Sequence, residues 1–165
     1  MKRSLSIFLL VLCLALSSCS SKNASCVDIL SGLIDLGSEE ARKNGQMFLL
    51  SAEEGQIEYF SAQNQVLMYG KEAAEHCFSK IEDCAIFTSS HTPEEIAVFK
   101  CYSASDTDEI AKMCLSRSDD IKIALRGSVW QEKSEKIRVT IYRRFVVFAF
   151  TDQPEAIESR VRGFV

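Results

Sequence analysis

Glycine, proline and histidine are scarce in this chain, and what is missing removes whole classes of chemistry. The seven glycines stand singly, so no glycine-rich loop is present to cradle a phosphate at a helix N-terminus. The close Cys-x-x-Cys and His-x-x-x-His pairs that pre-organise zinc are absent as well. The nearest approach, His76-Cys77, Cys84 and His91, separates its groups by six residues each time, which reads as surface histidines beside a cysteine pair. No metal and no other cofactor is expected. Two histidines and several cysteines allow a nucleophile–base pair by number, but no spacing marks one. Glu94-Glu95 and Asp119-Asp120 are adjacent carboxylates, and neighbours on a strand point to opposite faces. They read as solvated charge. Beyond residue 18 no apolar run approaches the roughly 20 residues that span a bilayer.

What is present begins at the N-terminus. Met1-Lys2-Arg3 is basic, and Leu5 to Leu16 is an almost unbroken apolar run. A positive flank, a short apolar stretch and small residues behind it form the layout of a cleaved export signal. Leu16-Ser17-Ser18-Cys19 then resembles the bacterial lipobox, in which a cysteine thiolate takes up a diacylglyceryl group. The expectation is a leader over residues 1–18, lipidation at Cys19 and a small polar tether through residue 25. Each buried methylene of such a lipid contributes about 0.8 kcal/mol, so two or three chains anchor firmly. The expected location is the exported face of a cell membrane.

Removing Lys2 and Arg3 with the leader leaves 17 basic against 23 acidic residues, a net charge of −6. An acidic domain argues against nucleic acid as a partner. Hydrophobic residues make up 47% of the chain, enough for a packed core, and residues 26–165 have the length of one domain. Five cysteines remain after Cys13 and Cys19: Cys26, Cys77, Cys84, Cys101 and Cys114. Export permits disulfides, and Cys77 with Cys84 is the most local candidate pair. Cys101 and Cys114 are a second. Against that, Cys26, Cys101 and Cys114 fall where buried apolar residues are expected, and a free cysteine packs well in a core.

Apolar spacing gives the elements. Cys26, Ile29, Leu30, Leu33 and Ile34 form the stripe of an amphipathic helix over residues 24–35, with an extension over 38–43 before Gly45. Met47 to Leu50 and Ile57 to Phe60 are strand-like; 63–69 fits helix or strand. Ala85 to Thr88 is a short apolar run, and Glu95 to Tyr102 reads as a strand. Asp106 with Glu109 resembles a capping box ahead of a helix to about Arg117. Ile137, Val139 and Ile141 alternate with polar residues. Phe145 to Phe150 is apolar throughout, as a central strand covered on both faces would be. Asp152 reads as the cap of a last helix with Pro154 in its first turn. The fold class that follows is α+β, helices packed on an antiparallel sheet behind an N-terminal amphipathic helix. One link disagrees: Tyr142-Arg143-Arg144 lacks the Gly, Asn or Asp that tight hairpins prefer. A wider hairpin or one bent strand is expected there.

The stretch Glu95-Ile96-Ala97-Val98-Phe99-Lys100, the helix Asp106 to Arg117, the strand Arg144 to Phe150 and the helix Asp152 to Val161 together resemble the DUF4358 family. These are small, mostly Firmicute lipoproteins of unassigned function. The resemblance covers about half of the mature chain; Cys77 to Cys84 and the Tyr142-Arg143-Arg144 link depart from the pattern. It implies an α+β fold and an envelope location and brings no catalytic residues.

Positive charge gathers late, at Lys133, Lys136, Arg138, Arg143, Arg144, Arg160 and Arg162. One account is a solvated sheet face. The other is a binding face, with Arg138, Arg143, Arg144 and the lone Trp130, for an envelope protein or an acidic cell-wall polymer. Trp130 either caps the core or, exposed, anchors a partner. The leading expectation is therefore a membrane-anchored lipoprotein that binds rather than catalyses. The alternatives are a small hydrolase or thiol enzyme at the membrane surface, and a small-ligand carrier.

Overall fold

The computed structural model describes residues 24–165. The expected leader (1–18), Cys19 and tether residues 20–23 lie outside the described residues. Among the described residues no helix is long and apolar enough to cross a membrane.

The first helix, α1 (Cys26–Ser31), starts at a reciprocal cap: Ser25 Oγ accepts the Asp28 backbone N–H, and the Asp28 carboxylate accepts the Ser25 N–H. It buries Cys26, Ile29 and Leu30, the expected stripe. The helix ends earlier than its apolar spacing suggests, because Gly32 closes it and Ile34–Leu36 forms a 3-10 turn. The extension becomes a separate helix, α2 (Glu39–Lys43), capped by Ser38. Strand β1 (Gly45–Leu49) follows. Ile57 to Phe60 makes only one parallel bridge, Leu49 to Tyr59, so it is a covering loop and not the strand its composition suggests. Residues 63–69 resolve as helix, within α3 (Ala62–Tyr69). Gly70 turns the chain with φ +84° into α4 (Lys71–His76), a backbone setting that favours glycine.

The second half follows its pattern more closely. Strands β2 (Ile81–Ser89) and β3 (Glu95–Cys101) lead into the long helix α5 (Thr107–Ala124). Its capping box lies one turn earlier than expected: Ser103 and Asp106 close it around a 3-10 turn, Ala104–Asp106. Glu109 instead pairs with Lys80. After α6 (Gln131–Ser134) come β4 (Arg138–Tyr142), β5 (Phe145–Phe150) and α7 (Ile157–Arg162). The expected cap at Asp152 is not made. Thr151 Oγ1 accepts the Gln153 N–H, a 3-10 turn Pro154–Ala156 precedes α7, and Asp152 turns to Lys133.

The five strands form one antiparallel sheet in the order β1-β2-β3-β5-β4, so the fold is α+β. Helices cover both of its faces. On one face Ala97, Phe99, Val146, Phe148 and Phe150 pack with Ile110, Met113 and Cys114 of α5 and with residues of α3 and α4. On the other, Ile96, Val98, Val147 and Ala149 meet Ile29, Leu30, Ile157 and Val161. This double coverage explains the unbroken apolar run of β5, whose six residues are all buried. Each fully buried phenylalanine there contributes about 1.5–3 kcal/mol.

The hairpin between β4 and β5 corrects the expected wide link. Tyr142 pairs directly with Phe145, which leaves a two-residue turn with Arg143 at φ +52°. An arginine in that region costs about 1–2 kcal/mol. Arg144 offsets the strain: its Nη1 donates to Glu82 Oε2 at 2.7 Å and to the Cys101 and Tyr102 carbonyls at 3.2 Å each.

Candidate functional site

Glu94 and Glu95 were expected as solvated charge, and the structure buries both; each residue is 1% exposed. They do point to opposite faces. A strand covered on both sides leaves no solvated direction for either side chain, so each must find partners inside.

Glu94 turns toward the α1–α2 side. Its Oε2 accepts the Ser38 backbone N–H at 2.9 Å and the Ser38 hydroxyl at 3.0 Å. Its Oε1 takes the ammonium of Lys133, which also binds Asp152. That ammonium lies 5.3 Å from the centre of the Trp130 ring and 5.9 Å from that of Phe150, a cation–π setting. The lone tryptophan is thus half-buried over a clamp that joins the residues leading into α2 and β3 to α6 and to Asp152.

Glu95 turns toward α3 and α5. Arg117 Nε and Nη2 both donate to its Oε2, at 3.2 and 2.8 Å, and the Tyr69 hydroxyl donates to Oε1 at 3.1 Å. Arg117 reaches it because it continues the inward stripe of Ile110, Met113 and Cys114 on α5. Tyr69 does so as the last residue of α3. Burial, with the Glu95 charge second, pushes the Tyr69 phenol well above its usual range, so it stays a protonated donor.

Unlike the Glu94 clamp, this triad opens outward. Glu95 and Arg117 line a cleft of about 420 Å³ with Thr92, Asp120 and Ile121. Tyr69 lines a second groove of about 640 Å³ between α4 and α5, and Asp120 borders both. Two groups in the first cleft have unused hydrogen-bonding capacity among the described residues. Thr92 Oγ1 is buried without a partner, and Arg117 bonds through Nε and Nη2 only, leaving Nη1. A buried hydroxyl without a partner costs about 1–3 kcal/mol, and a ligand oxygen would relieve it. Asp120 at the rim is exposed. The cleft therefore offers donors from Arg117 and Thr92 and an acceptor from Asp120.

The other expected site residues are dispersed. His76 and Cys77 line the larger groove, Cys84 lies in the sheet core, and His91 Nδ1 lies 3.1 Å from Glu40 at the surface. Cys77 and Cys84 are not joined: all five described cysteines are free and buried. Cys77 closes α4 beside Lys80 and Glu109, whereas Cys84 is held within β2. Burial raises the Cys77 thiol, lifts Cys101 to about 11 and holds Cys114 well above its usual range. A nucleophile needs the opposite shift. Cys26, Cys101 and Cys114 are core residues, as their spacing suggested.

Nor do Trp130, Arg138, Arg143 and Arg144 make one face. Among the described residues both faces of the sheet are packed against helices, and β4 is an edge strand. Arg138 pairs across to Ala149 at one end of β4, while Arg143 and Arg144 form the turn at the other. Comparison with family models, with curated proteins and with solved structures finds no match to this chain.

Proposed function

We propose that this chain is an exported, lipid-anchored binding protein whose Arg117 cleft takes a small ligand of both charge signs. An amino acid or a short cell-wall peptide has that chemistry: its carboxylate suits Arg117 Nη1 and Thr92 Oγ1, and its ammonium suits Asp120. The observation that carries this is the open side of the triad. Buried Glu95 and half-buried Arg117, held in place with Tyr69, form one wall of a cleft that also holds a partnerless hydroxyl. Buried polar groups converging on a cleft are the usual mark of a ligand site. A binding role is favoured over thiol catalysis because, among the described residues, the two grooves hold no activated nucleophile: Cys77 is raised by burial and His76 is exposed. The anchor is supported by the leader, the lipobox-like order ending at Cys19, and the resemblance to small envelope lipoproteins.

Thermal unfolding of the detergent-solubilised full chain tests the cleft, with alanine, glutamate, dialanine, diaminopimelate and N-acetylglucosamine as probes. A ligand at a hundred times its Kd should add about 2.7 kcal/mol of stability. Stabilisation by a zwitterionic probe, lost in Thr92→Val and in Asp120→Asn, is expected; stabilisation by none, or by the sugar alone, contradicts the proposal. The anchor is tested separately by labelling cells with a palmitate analogue. Incorporation into wild type and not into Cys19→Ala is expected, and equal labelling of the two would overturn it.

A further inference from the structure

The two edges of the sheet are treated differently by the chain. The edge at β1 is covered: the Leu49 N–H donates to the Glu58 carbonyl at 2.7 Å, the Phe60 N–H donates to the Leu49 carbonyl at 3.0 Å, and Gln46 Nε2 donates to the Ile57 carbonyl at 3.3 Å. The edge at β4 has no such cover among the described residues. Its hydrogen-bond phase follows from the tight hairpin. The Tyr142–Phe145 pair closes a two-residue turn and is a bonded pair, so Thr140–Val147 and Arg138–Ala149 are bonded too. Val139 and Ile141 therefore direct their N–H and C=O groups away from β5. Outward groups on an open edge are a template for another strand.

We propose that this edge accepts one extended, acidic segment of a partner protein as an added strand. Charge selects the occupant. Arg138 and Arg143 flank the open groups; both are exposed and in no ion pair among the described residues. The other late basic groups are engaged: Arg144 with Glu82, Arg160 with Asp35, Arg162 with Glu158 and Lys133 with Glu94. Two free cations at the ends of an exposed strand repel a basic or identical strand and favour a carboxylate-bearing one. A second copy paired antiparallel about Thr140 would bring the Arg138 of each strand close to the Arg143 turn of the other, a like-charge contact. Between the cations, Ile141 is 41% exposed and offers apolar contact to alternate side chains of the incoming strand. This surface is separate from the Arg117 cleft and stands on different observations.

The test uses the full chain in detergent and two fluorescein-labelled peptides, one alternating glutamate with valine and one alternating lysine with valine. Fluorescence anisotropy should show the acidic peptide binding at least about tenfold more tightly than the basic one. Ile141→Pro removes an outward N–H that β5 does not use, so it should weaken the acidic peptide by about tenfold or more and leave the melting temperature in place. The pair Arg138→Glu and Arg143→Glu, which leaves the backbone untouched, should reverse the preference. Amide exchange at Val139 and Ile141 should slow when the acidic peptide is added. No acidic-peptide binding at millimolar concentration, equal binding of the two peptides, or unchanged exchange at both amides would each overturn the proposal. So would a concentration-dependent dimer that Ile141→Pro dissolves, since that assigns the edge to a second copy.

Discussion

Glu94 and Glu95 are neighbours in the chain, equally buried, and opposite in what surrounds them. Glu94 spends its oxygens on Ser38 and Lys133 and lines neither of the two clefts on the other face. Glu95 spends its own on Arg117 and Tyr69, yet one wall of that set is the wall of a cleft. The difference separates two uses of a buried carboxylate. A cluster whose buried carboxylate has a partner at each oxygen and lines neither cleft fixes how elements are joined. A cluster with an open side holds a cationic donor in place while leaving part of it free to bind. Buried pairs add little net stability over an apolar replacement, but removing one member is costly.

That contrast orders the expected effects of substitution. Lys133→Ala should be the most damaging, about 3–5 kcal/mol by urea unfolding, because Glu94 is left charged and enclosed. Ligand-induced stabilisation through the Arg117 cleft should survive in whatever fraction folds. Arg117→Ala should cost less, about 2 kcal/mol, since water can enter from the cleft and hydrate Glu95, and it should abolish ligand binding. Equal losses for the two variants would erase the distinction between enclosed and open clusters. Tyr69→Phe keeps the ring against Phe78 and Phe99 and removes one donor to a carboxylate, so about 1.5 kcal/mol is expected.

Glu82 gives the smallest effect and a control. Its hydrogen bond from Lys100, reinforced by Arg144, lowers its pKa below the usual carboxylate range at a largely exposed site. A depressed folded value means the stabilisation is present above the unfolded value, about 4.3, and is lost as pH falls through the folded one. Glu82→Gln should therefore change stability slightly at neutral pH and flatten the acid limb of a stability–pH curve. A variant that altered the neutral region as strongly as Lys133→Ala would place Glu82 in the same class as Glu94.

Periodicity made much of the frame legible. The run Phe145 to Phe150 implied a strand covered on both faces, and both faces are covered. The stripe from Cys26 marked α1, although Gly32 ends it sooner than apolar spacing alone suggests. Ile137, Val139 and Ile141 marked one face of a strand at the edge. What stayed illegible depends on contacts distant in sequence. Glu95 meets Tyr69 and Arg117, 26 and 22 residues away, and no local pattern announces either. One signal was available: Glu94 and Glu95 abut the fully apolar Ile96 to Phe99, and a strand covered on both faces has nowhere to solvate them. The tight turn at Arg143 was hidden because its compensation, Arg144 bonded to Glu82 and two carbonyls, comes from another strand. Local spacing also made Cys77 and Cys84 look like partners, whereas both are free, one at a helix end and one within a strand.

On the proposed function the carboxylate cluster open to a cleft marks a ligand site and the Glu94 cluster does not. Amide chemical-shift mapping of the isotope-labelled protein during titration with dialanine tests it most directly. Saturable shifts at Thr92, Arg117 and Asp120, with Ser38 and Lys133 unmoved, are expected. No saturable shift at Thr92 and Arg117, or shifts centred on Ser38, Trp130 and Lys133, would contradict it.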